Sequence, residues 1–192
     1  MLRTVAKSSI WESVVGQSLF GPVVQIGYVV NDLDEAVARW TRRTGLGPWT
    51  VFRNSRLEGH YRGRQTTVTM DVALAYQGGV QIELIDARTD TASPYAIDGR
   101  PLAGIHHIAW LVDNLDEEVA AAEARGLVPV FVAGNDVVRV TYLENPGEDG
   151  VLYELIEGAG MREMIAAGII AAAQWDGRAS VTEINLAAGG QI

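Results

Sequence analysis

The sequence predicts an α+β fold of two tandem βαβββ modules followed by a C-terminal helix, and three observations predict it. First, the chain repeats itself. QIGYVVNDLDEAVARW, starting at Gln25, lies over HIAWLVDNLDEEVAAA, starting at His107, with Ile, Val, Leu, Asp, Glu, Val and Ala at matching places. GLGPW at Gly45 lies over GLVPV at Gly126, and VQIELID, ending at Asp86, over VLYELIE, ending at Glu157. Second, each copy has the same internal grammar: a β-rich run, turn and cap residues, a helix, then three strands. Third, a single sheet of this kind exposes one whole apolar face, so two must pair. The resulting division is 1–22 as an N-terminal extension, 23–87 as the first module, 88–104 as a linker, 105–158 as the second module and 159–192 as a helix and tail.

The elements follow in order. In residues 1–22, Ile10-Trp11 and Val14-Val15 form an apolar piece that wants a partner. Val24 to Val30 is the first strand. Asn31-Asp32-Leu33-Asp34 then supplies turn and N-cap chemistry, with acidic groups at the positive end of a helix from Leu33 to Thr44 that Gly45 stops. Strands are expected at Trp49 to Arg53, Thr67 to Tyr76 and, after a Gly78-Gly79 turn, Val80 to Asp86. Copy two gives a strand Ile105 to Val112, a helix Leu115 to Arg125 stopped by Gly126, and strands near Pro129 to Ala133, Val137 to Glu144 and Val151 to Glu157. In the tail, Met161, Met164, Ile165 and Ile169 recur at helical spacing, so a helix of about fifteen residues with an apolar stripe is expected. That stripe closes the cavity of its own chain or joins a neighbour's; the terminal AAGGQI is read as a mobile end.

Composition removes several functions. The 192 residues are 48% hydrophobic, enough to fill a core, and include no cysteine, which excludes disulfide scaffolds, thiolate metal sites and cysteine nucleophiles. A net charge of −9 repels polyanions, so nucleic acid and anionic membranes are not expected partners. No run reaches the roughly 18 apolar residues of a membrane span and no signal peptide is evident, which predicts a soluble, cytoplasmic protein. One basic cluster stands out: Arg53, Arg56, Arg62 and Arg64 crowd around His60, as a solvated loop or as an anion-binding rim.

Strand alternation assigns faces. Ile26, Tyr28 and Val30 suit packing under the first helix, which leaves Gln25, Gly27 and Val29 opposite. Ile108, Trp110 and Val112 do the same in copy two, leaving His107, Ala109 and Leu111. Gly27 and Ala109 are small and leave room for a ligand; His106 lies across the strand as a boundary or supporting residue. In the closing strands Glu83 and Glu154 occupy the same repeat position, each amid apolar residues, where an ionised carboxylate is costly without a partner. Gln25, Glu83, His107 and Glu154 converging on one cavity make an N/O site for zinc, nickel, cobalt, manganese or iron(II). A lone strand histidine is usually a core residue and a strand glutamate an exposed one. Recurrence in register favours the metal.

These segments resemble the vicinal oxygen chelate superfamily, which includes glyoxalase I, methylmalonyl-CoA epimerase, extradiol dioxygenases, fosfomycin-resistance enzymes and bleomycin-binding proteins. The resemblance spans about residues 23–158. It implies that the paired modules form an incomplete barrel around a divalent metal held at the first-strand and last-strand positions, here Gln25, Glu83, His107 and Glu154. The Gln, Glu, His, Glu set is similar to zinc-type glyoxalase I. Extradiol dioxygenases carry a second histidine where this chain has Gln25; the epimerase has His first and Gln second; bleomycin-binding relatives generally lack ligands.

The resemblance thus implies a metal-dependent lyase, isomerase or epimerase acting on a small substrate. Chelation of two adjacent oxygens acidifies the C–H beside a carbonyl by stabilising an enediolate, and a carboxylate moves the proton. Glu154 is the first candidate for that base and Glu83 the second. Gln81 shares Glu83's face and lines the cavity, while Tyr61 and Arg62 or Arg64 are candidates to meet substrate. Members of the superfamily are commonly dimers, so a homodimer is expected. The alternatives are an extradiol-type dioxygenase and a metal-free protein that sequesters a hydrophobic small molecule.

Overall fold

The computed structural model describes residues 19–88, 91–97, 99–148, 150–178 and 181–186. Ile10-Trp11, Val14-Val15 and the terminal AAGGQI lie outside the described residues. The chain runs β1 (Gln25–Val29), α1 (Leu33–Thr44), β2 (Trp49–Tyr61), β3 (Arg64–Gln77) and β4 (Val80–Ala87), then a two-stranded hairpin of β5 (Ala96–Ile97) and β6 (Arg100–Pro101). It continues through β7 (Gly104–Leu111), α2 (Leu115–Glu123), β8 (Val128–Gly134), β9 (Val138–Glu144) and β10 (Leu152–Gly158), and ends with α3 (Met161–Gln174) and β11 (Val181–Asn185). No helix among the described residues is long and apolar enough to cross a membrane.

Local chemistry sets the helix ends. The Asp32 carboxylate accepts a hydrogen bond from the Glu35 amide at 2.8 Å, and Gly45, at φ 71°, returns its N–H to the Thr41 carbonyl at 2.9 Å. Asp34 and Glu35 sit at the positive end of α1 and Arg42 and Arg43 at its negative end. Asn114 caps α2 through the Glu117 amide. That helix stops at Glu123, short of the expected Arg125, because the next amides bond three residues back, Arg125 to Ala122 and Gly126 to Glu123, and tighten the last turn.

The nine-stranded sheet has the order β11-β2-β3-β4-β1-β7-β10-β9-β8. β1 and β7 meet antiparallel at its centre, with β4 parallel to β1 on one side and β10 parallel to β7 on the other. The sheet curls until β2 pairs with β8 over Glu58–Tyr61 and Phe131–Gly134, giving a barrel-like arrangement. Farther along the same edge of β2, β11 pairs with Trp49 to Arg53, so Asn54 to Leu57 separate the two partners and leave an opening. Three apolar clusters fill the fold: Val29, Met70, Ile85, Phe131 and Ile156 inside the curl; Leu33, Val37, Trp49 and Leu84 under α1; Leu115, Ala122, Leu143 and Leu155 under α2. Ile26 and Tyr28 pack on the α1 cluster and Trp110 on the α2 cluster, the faces that alternation assigned.

Two expectations need correction. The arginine-rich stretch is neither a loop nor an open anion rim. It is the end of a long β2–β3 hairpin, turned by Arg62 at φ 48° and Gly63 at φ 76°. β2 reaches it because a register shift between Phe52 and Ser55, with Asn54 at φ 58°, bends the strand without ending it. Three of its four arginines are paired: Arg53 with Asp34 at 2.6 Å and Asp71 at 3.1 Å, Arg56 with Glu58 at 2.7 Å, and Arg62 with Glu144. The second correction concerns the tail, whose strand β11 had no signature in the alternation. α3 lies over β3, with Gly168 so close to the Tyr76 ring that a Cβ there would come within 2.0 Å of it.

Candidate functional site

Four adjacent strands of the curled sheet, β4, β1, β7 and β10, place the polar residues in two cross-strand rows. Glu83, Gly27 and His107 lie side by side in one row; Gln81, Gln25, Ala109 and Glu154 form the next. Residues two apart on a strand share a face, so both rows face the interior. Gly27 and Ala109 are the small members between the larger ones. At Gly27 the expected room for a ligand is taken by protein: a Cβ there would sit 2.0 Å from Cε1 of His107. Glycine makes space for the imidazole itself.

His106 does not point away from His107. β7 carries a bulge here, His107 lying opposite Gly27 and Ile105 opposite Tyr28, so His106 is the extra residue and strict alternation lapses. Both rings turn inward and meet Nδ1 to Nδ1 at 2.9 Å. The Nε2–H of His106 donates to the Pro94 carbonyl at 2.9 Å, which leaves its Nδ1 as acceptor for the Nδ1–H of His107. Nε2 of His107 is thereby directed at the carboxylates. Burial and the neighbouring His107 pull the His106 pKa down to about 3, consistent with a neutral ring. Burial also depresses His107, but Glu154 and Glu83 outweigh it and hold that imidazole up to about 10. Burial pushes Glu154 upward against the pull of His107.

Around Nε2 of the wholly buried His107 lie Glu154 Oε2 at 3.0 Å, Glu83 Oε2 at 3.3 Å and Gln25 Oε1 at 3.3 Å. One ring nitrogen can donate one hydrogen, so three oxygens gathered on it exceed what an imidazole can satisfy. Apart from its 3.0 Å approach to His107, Glu154 Oε2 is buried with no hydrogen-bond partner among the described residues. Glu83, His107 and Glu154 offer ligand atoms within 4.8 Å of one another. An N/O donor set of this kind fits a divalent cation, which would satisfy every one of these atoms at once.

The site forms the floor of a cavity of about 640 Å³. Gln25, Gln81, Glu83 and Glu154 line it; Tyr61 and Arg62 do not, since they stand at the hairpin end, where β2 meets β8 and Arg62 pairs with Glu144. Gln81 is buried with both amide ends engaged, by Gln25 at 2.7 Å and the Tyr76 hydroxyl at 2.5 Å. Sequence reasoning missed Tyr95 and Tyr142, whose hydroxyls meet at 2.8 Å in the cavity wall. Tyr142 stacks on His107, ring centroids 5.1 Å apart, and Tyr95 on His106 at 4.8 Å. Tyr142 stands opposite Glu154 in the β9–β10 register and was available from alternation. Tyr95 comes from the segment read as linker, where no periodicity marks it.

Residues 24–142 match the model of the Glyoxalase/Bleomycin resistance protein/Dioxygenase superfamily, and the chain belongs to that superfamily. Among solved structures it is similar to a hypothetical protein from Bacillus halodurans, with 21% identity, 72% of this chain and 94% of that chain covered, and a TM-score of 0.46. A methylmalonyl-CoA epimerase from Mycobacterium tuberculosis matches at 19% identity over 78% of this chain and 96% of that chain, TM-score 0.49. A Streptomyces coelicolor methylmalonyl-CoA epimerase variant in complex with 2-nitronate-propionyl-CoA matches at 22%, covering 71% and 94% respectively, TM-score 0.46. Comparison with curated proteins finds no match.

Proposed function

We propose that this chain is a divalent-metal-dependent isomerase or lyase, of the type represented by glyoxalase I, that moves a proton on a carbon next to a carbonyl. The observation that supports the reading is the gathering of Gln25, Glu83 and Glu154 oxygens on one nitrogen of His107, Glu154 Oε2 being buried with no other partner among the described residues. In this reading Gln25, Glu83, His107 and Glu154 hold the ion, and the ion supplies Lewis-acid polarisation of substrate oxygen. The chain's own groups do the rest. Glu154, which lines the cavity, accepts the proton from carbon and returns it to the neighbouring position; Glu83 on the other side of His107 is the second proton carrier. Tyr142, stacked on His107, holds the imidazole in place and covers one side of it. The two βαβββ runs, related by sequence repeat, are read as modules that each contribute one first-strand and one last-strand ligand. A single imidazole beside an amide argues against the extradiol alternative, whose iron site takes two histidines.

The test begins with the metal content of protein purified without a metal-affinity tag. Stoichiometric zinc, nickel, cobalt or manganese, and exchange of the α-proton of α-hydroxy ketones with deuterated water by the metal-loaded protein, are expected. Iron with oxygen uptake on catechols would replace this reading with a dioxygenase. Absence of metal, with no activity gained on adding any of these ions, would replace it with a binding protein.

A further inference from the structure

The cavity divides by chemistry between floor and walls. Asn54, Ser55, Arg56, Asn135 and Asp136 stand at its mouth, where the edge of β2 is unpaired between β11 and β8, and Gln25, Gln81, Glu83 and Glu154 gather at the far end around His107. Facing them are Phe52, Val72 and Leu74 from the first half of the chain and Met161, Met164 and Leu186 from the tail. The last three lie beyond residues 24–142, the span matched to the superfamily, so the tail supplies a wall that the matched region does not contain. α3 brings Met161 and Met164 to the opening between β11 and β8, and the chain after β11 brings Leu186.

Charge is distributed just as unevenly. Apart from Glu83 and Glu154, the charged residues lining the cavity among the described residues are Arg56 and Asp136. Arg56 is exposed and holds Glu58 through two nitrogens, at 3.0 and 2.7 Å, and Asp136 lies in the exposed β8–β9 turn. At the floor Glu83 and Glu154 would neutralise a divalent cation, so the loaded site would have no surplus positive charge for a second anionic group. A phosphate or carboxylate seated against Phe52, Leu74 and Met164 would lose its water with nothing in exchange.

We propose that the ligand is a neutral molecule with two adjacent oxygens at one end and an extended apolar body, alkyl or aryl, that lies against the wall of Met161, Met164 and Leu186. This deepens the metal reading above and rests on it. A cavity of about 640 Å³ accommodates a molecule well beyond a three-carbon hydroxycarbonyl. Methionine thioethers, flexible and polarisable, adapt to bodies of differing shape, so the wall selects for apolarity more than for one outline. Anionic carriers such as a nucleotide-bearing thioester are disfavoured on the same grounds.

Alkyl hydroxamates test the inference, because they present two adjacent oxygens on tails of any length. Binding to the zinc-loaded full chain is to be measured calorimetrically from acetohydroxamate to octanohydroxamate, together with an eight-carbon member whose tail ends in a carboxylate. Affinity is expected to rise about fourfold per methylene over the first several carbons, and the carboxylate-ended member should bind no better than acetohydroxamate. Met164→Glu should flatten the series. A series already flat in the wild type, or a carboxylate-ended tail as tight as the plain one, overturns this inference alone. A rise with tail length that persists unchanged after zinc is removed by chelation overturns the metal reading and leaves the apolar wall. No binding by any member overturns both.

Discussion

The side-chain amide of Gln25 donates from Nε2 to Oε1 of Gln81 at 2.7 Å. An amide nitrogen has no lone pair for a metal, so only Oε1 of Gln25 can serve as ligand, and the bond to Gln81 turns that oxygen toward His107. Gln81 is oriented in turn by donating to the Tyr76 hydroxyl at 2.5 Å. Tyr76→Phe should therefore weaken zinc binding by about tenfold, measured by competition with a chromophoric chelator. In a Gln25→Glu background the two carboxylate oxygens are equivalent and the loss should vanish. An equal loss in both backgrounds would count against the orienting role.

His106 acts on the same centre from the other side. Replacing it with Phe keeps a ring against Tyr95 but removes the acceptor for the Nδ1–H of His107. Zinc affinity should fall by about 10- to 100-fold, as read by the same competition. Unaltered affinity would reduce His106 to a packing residue.

Gly27→Ala should be among the most damaging small substitutions, since its methyl group would overlap the His107 ring. The expected cost is about 1–3 kcal/mol of stability, with loss of zinc binding. Gly79→Ala is the control: its Cβ meets nothing within 4 Å and should shift the denaturation midpoint little. Similar effects from both would mean that His107 moves aside freely.

Metal should stabilise the fold, because the four proposed ligands come from four strands, β1, β4, β7 and β10. At a free zinc concentration a hundred times Kd the gain is about 2.7 kcal/mol, or a rise in Tm of about 5–10 °C for a chain of this size. Chelation should reverse it. A Tm insensitive to zinc, nickel, cobalt and manganese would remove the site.

Glu154→Gln preserves shape but removes the proton acceptor. Turnover should drop by about 10²- to 10⁴-fold while circular dichroism is unchanged and bound metal is retained through Gln25, Glu83 and His107. An undiminished rate would move the role to Glu83.

The repeat, the helix caps and the strand faces were legible in the chain because each depends on neighbours a few residues away: Asp32 to Glu35, Thr41 to Gly45, Tyr28 beside Ile26 and Val30. The same frame picked out Gln25, Glu83, His107 and Glu154 as equivalent polar positions. The Arg62-Gly63 turn was misjudged because its composition suits a loop equally well, and only pairing with β8 and Glu144 shows that the strands persist.

What the sequence determined by itself, then, is periodicity and the residue types set on each face. The tertiary structure decided which of those faces meet. The bulge that turns His106 inward, the use of Gly27 as space for a ring, the reach of Tyr95 from between the modules and the seating of Met161 and Met164 all depend on strands far apart in the chain. Such matches are fixed by backbone register and by the volume left between sheets, which no local pattern encodes.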